Sequence, residues 1–127
     1  MDLEPIIQAL QKMHQTDLAL KIINDYFAGF TELGEVYGMF EPSITPIEEL
    51  ASNLFYQNRI IKMGDWLDMV AHLYTSGIAN TDLLREIGIG NTIVNFRTQL
   101  AKRSAEVSFI DAHLKSDGWS HLVNFQP

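Results

Sequence analysis

Glu32 and Glu35 stand three residues apart, as do Asp65 and Asp68, and side chains at that spacing share one face of a helix. Asp25 lies two turns before the first pair, and His72 follows the second by four residues. Clustered carboxylate oxygens are what a hard divalent cation such as Mg2+ takes as ligands, and bundles build such sites between facing helices. Both pairs are set among apolar residues, in Phe30-Thr31-Glu32-Leu33-Gly34-Glu35-Val36 and in Met63-Gly64-Asp65-Trp66-Leu67-Asp68-Met69-Val70. A carboxylate in such surroundings needs a partner, and a cation is a good one. Acid pairs at this spacing also occur on ordinary solvated helix faces, so both readings stand. Taken by themselves, Arg97, Lys102 and Arg103 read as a solvated basic helix face and Trp66 and Tyr37 as apolar core.

The elements that position these residues read as helices throughout. A first short helix is expected from Leu3 to about His14, with Pro5 in its opening turn and Ile6, Ile7, Leu10 and Met13 as its apolar stripe. A second is expected from Thr16, as N-cap, to about Phe40, with Leu18, Ile22, Phe27, Phe30, Leu33 and Tyr37 near helical spacing. Thr45-Pro46-Ile47-Glu48 has the pattern of a capping box, opening a helix that continues through Leu54, Ile61 and Leu67 to Tyr74 and stops at Ser76-Gly77, with Gly64 as a possible bend. A fourth helix covers about Thr81 to Ile87 and a fifth about Thr92 to Lys115, with Asn91 after Gly90 as its N-cap. The tail from Ser116 to Pro127 carries weak signals. Strand alternation is nowhere convincing. The expected class is therefore all-α, one domain over residues 1–127, a bundle built on two long antiparallel helices with shorter flanking ones.

Composition limits what such a bundle can do. The 127 residues include 9 Lys and Arg against 16 Asp and Glu, and no cysteine. Disulfides, thiolate metal sites and cysteine nucleophiles are excluded together. The net charge of −7 argues against a duplex nucleic-acid partner, because phosphate affinity comes mainly from Lys and Arg. No basic amphipathic face, apolar span or leader pattern is evident, so the expected setting is cytoplasmic, with no membrane partner. Nine acids and only two bases fall within residues 1–50, which makes the first half the acidic one.

Glu32-Leu33-Gly34-Glu35-Val36 resembles the first acidic motif, E-x-x-E, of the MazG-like all-α nucleoside triphosphate pyrophosphohydrolases. The stretch from Met63 to Leu73 is similar to that family's second motif, E-x-x-D, and Gly90-Asn91-Thr92-Ile93-Val94-Asn95-Phe96-Arg97 to its later Asn- and Arg-containing segment. The resemblance covers about residues 17–103. It implies release of pyrophosphate and a nucleoside monophosphate by water attacking the α-phosphate of a nucleoside triphosphate. Mg2+ or Mn2+ would be held by Glu32, Glu35, Asp65 and Asp68, with Glu35 taking the water proton. Lys62, Asn95, Arg97, Lys102 and Arg103 would face phosphates and Trp66 the base. The chain departs from the pattern at Lys62, where the family motif has Glu, and a charged lysine binds no metal. Two alternatives therefore accompany the hydrolase reading: a helical protein-interaction or regulatory module, and a non-catalytic relative that still binds a nucleotide. Relatives of this type assemble through helix bundles, and Phe27, Phe55, Tyr56 and Trp66 are hard to cover within one chain, so a homodimer or tetramer is expected.

Overall fold

The computed structural model describes residues 2–127 and is an all-α bundle, with no strand among the described residues. Its helices are α1 (Glu4–Ala28), α2 (Phe30–Phe40), α3 (Ile47–Ser52), α4 (Leu54–Ser76), α5 (Thr81–Glu86), α6 (Ile89–Ser104), α7 (Ser108–Leu114) and α8 (Ser120–Asn124). A short 3-10 turn, Asp117–Trp119, leads into α8. No described helix is long and apolar enough to cross a membrane.

Element boundaries differ from the sequence expectation in four places. Thr16 is not a cap: α1 runs through it without a break, because no Gly or Pro interrupts residues 6–28, and the chain bends at Gly29 instead. The capping box does not form. Thr45 turns away to donate its hydroxyl to the Gly38 carbonyl at 3.2 Å, and extended Pro46 precedes α3 with no side-chain cap. The helix expected from Pro46 to Tyr74 is divided at Asn53, whose side chain accepts from the Phe55 and Tyr56 amides at 3.0 and 3.3 Å and so starts α4 afresh. The expected fifth helix is likewise two. It begins at Ile89, three residues early, which puts Asn91 inside its first turn, and it parts between α6 and α7, where buried Val107 is extended. The stop at Gly77 is as expected: its φ of 74° lies in the left-handed region that glycine adopts without steric cost.

Helix α4 is the axis. Ile60, Leu67, Val70 and Ala71 on it are wholly buried, against Leu33, Val36 and Phe40 from α2 and Ile93, Phe96 and Leu100 from α6. A further side of α4 is covered by the chain's last dozen residues, which the sequence left nearly unassigned. Trp119, 1 % exposed, lies flat on Gly64, where an added Cβ would come 2.1 Å from its ring. Helix α4 runs unbroken through Gly64, which is the seat of an indole. Leu122 and Phe125 complete the cover, Phe125 meeting Tyr74 edge to face at 5.2 Å between centroids.

Gly64→Ala should destabilise the fold by about 2–3 kcal/mol through overpacking, measured by urea denaturation. In a Trp119→Ala background the same change should cost under about 0.5 kcal/mol, because the clash is then gone.

Candidate functional site

The first acid pair lies on α2, turned toward α4. Arg59, on α4, holds both members: its Nε donates to Glu32 Oε1 at 2.8 Å and its Nη2 to Glu35 Oε2. The hydrogen bond to Glu32, opposed by burial and reinforced by Glu35, raises the guanidinium pKa above its ordinary value. The position a cation would take between these carboxylates is therefore filled by a side chain of the protein.

The second pair faces another way. Asp65 Oδ1 accepts the indole N–H of Trp119 at 2.8 Å, and Asp68 Oδ1 accepts the Leu122 amide at 2.8 Å, within the first turn of α8. Gly64, Asp65 and Asp68 thus act together as the docking edge for the C-terminal segment. The two acid pairs are not brought to one centre, and no group of three or more His, Asp or Glu able to hold a metal occurs among the described residues.

The expected phosphate ligands are also dispersed. Arg97 Nη1 donates to three carbonyls at the other end of α8, Leu122, Val123 and Phe125, at 3.3, 3.0 and 2.7 Å. With Asp68 at its start and Arg97 at its end, the short helix has opposite charges matched to its dipole. Arg103 is buried and ties α6 to the α2–α3 connection, its Nε donating to the Phe40 carbonyl at 2.9 Å and its Nη2 to the Thr45 carbonyl at 2.6 Å. Its Nη1 has only Glu106, 3.8 Å away, as a charge partner. Asn95 sits beside Tyr37, whose hydroxyl burial makes a weaker acid, partly offset by the Asn95 hydrogen bond. Lys102 is exposed in the last turn of α6, and His72 stacks on His121 of α8 with centroids 4.4 Å apart.

One cavity gathers three of the expected residues. About 550 Å3 in volume, it opens between the end of α1, the start of α2 and the first half of α4. Tyr26, Leu33, Phe55, Met63, Trp66 and Leu67 form apolar walls, and Asp25, Glu32, Arg59 and Lys62 stand among them. Lys62 is exposed and makes no hydrogen bond or ion pair among the described residues. A cleft of this size falls within the range of small-molecule and cofactor sites, ~300–1000 Å3. Arg59 is the functional residue that the sequence reading missed. The available signal was its place three residues before Lys62 and seven before Trp66, on the same face of α4.

Compared with protein-family models, curated proteins and solved structures, the chain matches none.

Asp65→Ala should cost about 1–3 kcal/mol in unfolding free energy, since it leaves the indole N–H of buried Trp119 unpaired. Glu35→Ala removes one side of a half-exposed ion pair and should cost less than about 0.5 kcal/mol. Chemical denaturation of both variants against the parent separates the structural acids from the surface ones.

Proposed function

We propose that this chain is a non-catalytic helical interaction module, one that binds other polypeptide through its exposed aromatic and aliphatic faces. The observation that carries the reading is the division of the acids: Arg59 engages Glu32 and Glu35, while Trp119 and the Leu122 amide engage Asp65 and Asp68. With Lys62 where the resembling family has an acid, the cavity is an apolar cleft with mixed charges at its edge. Helix-in-groove recognition uses such a cleft, taking an apolar side chain as anchor and pairing charge around it. Around it Phe27, Phe30, Leu54 and Phe55 are all more than half exposed, an apolar surface beyond the scattered hydrophobes of a typical monomer.

A second reading has its own support. Glu32, Lys62 and Trp66 line one cavity, which offers a nucleotide an aromatic wall and a cation. On that reading a nucleoside triphosphate and Mg2+ or Mn2+ displace Arg59 from Glu32 and Glu35, and the chain is either a pyrophosphohydrolase or a nucleotide-binding relative of one.

Calorimetric titration with Mn2+, alone and with a non-hydrolysable nucleoside triphosphate, together with an assay for released pyrophosphate, decides between them. The interaction reading expects no saturable heat below millimolar concentration, taken here as roughly the weakest binding that counts as a site, and no pyrophosphate. Micromolar Mn2+ binding that Glu35→Ala abolishes would establish the nucleotide reading. Lys62→Glu sharpens the comparison: it should leave Mn2+ affinity within about twofold on the first reading and tighten it at least tenfold on the second.

A further inference from the structure

Helix α1 carries two faces, and the fold uses only one. Its inward side chains, Leu18, Ala19, Ile22 and Tyr26, all lie in the second half. On the opposite side Leu3, Ile6, Leu10, Met13, Asp17, Leu20, Asn24 and Phe27 alternate at spacings of three and four, the seam of a heptad repeat. Its six apolar members are between 48 % and 61 % exposed. Every residue from 2 to 14 is exposed, and a shallow groove shared with Ile78 runs beside Ile7, Leu10 and His14. A helical arm of that length gains little from its own hydrogen bonds in water.

We propose that α1 pairs antiparallel with α1 of a second copy of this chain. The proposal deepens the interaction reading by naming one partner and the surface it uses. Spacing argues for a helix as occupant, because a strict repeat of 3.5 residues keeps its seam against another helix and against little else. Area argues for a partner of the same length: with half-exposed Ile7 beside it, the seam presents on the order of 700 Å2, near the ~800 Å2 that each side buries in a standard stable interface.

Charge sets the direction. In a parallel pair, Asp17 would face Asp17 of the second copy in the middle of the seam, like charge on like. In an antiparallel pair about the helix centre, each first heptad position meets a fourth. Leu3 then lies opposite Phe27 of the second copy, Leu10 opposite Leu20, Ile6 opposite Asn24 and Met13 opposite Asp17, so the two acids are apart and each is beside His14 of the other chain. This register also brings each arm's start toward Ala28 and Gly29, which line the cavity of the other copy.

The test uses the full chain, whose lack of cysteine lets introduced thiols report cleanly. By sedimentation velocity at tens of micromolar, roughly where a stable interface is populated, the parent should be a dimer. Leu10→Glu should raise its dissociation constant at least ~100-fold, and Asp17→Leu should lower it at least ~3-fold. Both positions are exposed, so circular dichroism should show the helices retained. Under mild oxidation, Leu10→Cys mixed with Leu20→Cys should give a disulfide-linked heterodimer, and Leu10→Cys alone should give none. Cross-linking of Leu10→Cys to itself would overturn the antiparallel pairing. A monomeric parent, or an oligomer indifferent to Leu10→Glu, would overturn the interface altogether. Either failure leaves the Mn2+ and pyrophosphate results untouched, so the pairing and the interaction reading can fail separately.

Discussion

The contact of Trp119 with Gly64 is what the rest of the structure depends on. An indole can lie flat on a helix only where that helix lacks a side chain, and α4 has such a place one residue before an acid that can accept the indole N–H. Once Trp119 is seated, the following turn brings the Leu122 amide to Asp68, and the end of α8 brings three carbonyls to Arg97. A five-residue helix has almost no stability of its own. It persists here because both ends have charged partners and its apolar side closes the core against α4.

That arrangement changes the meaning of the acids. Spacing alone allows Asp65 and Asp68 to be metal ligands or structural acceptors, since both uses want carboxylates one turn apart. What separates the uses is where the other oxygen-seeking groups come from. Here they come from the chain's own C-terminus for one pair and from Arg59 for the other. Both anchors lie far along the sequence from the acids they meet: 54 residues separate Trp119 from Asp65 and 27 separate Arg59 from Glu32.

The legible part of the fold was the part governed by local rules. Helical spacing, the absence of strand alternation and the left-handed glycine at 77 all follow from residues within a few positions of each other. The boundaries that moved did so where tertiary contacts compete with local signals. Thr45 has a cap sequence, but its hydroxyl finds Gly38, and buried Arg103 holds the Thr45 carbonyl. Asn53 is the exception, a local cap whose side chain accepts from the Phe55 and Tyr56 amides and so starts α4. At the site all four acids have partners, although Glu35 and Asp65 are exposed and not buried among their apolar neighbours in sequence. The identity of those partners was not legible, because an indole N–H, a backbone amide and a guanidinium satisfy a carboxylate as well as a metal ion does. Tail residues read as weak for the same reason: Asp117-Gly118-Trp119 has little helical preference, and its place is set by a surface contributed from α4.

The second acid pair is committed to the fold, and the indole N–H of Trp119 reports on it directly. Hydrogen exchange at that proton, followed by NMR, should be as slow as at the core amides of α4, and Asp65→Ala should speed it at least ~10-fold. Exchange at the rate of a solvent-exposed indole in the parent protein would contradict the claim, because it would leave Asp65 without its partner and return the acid pair to chemistry.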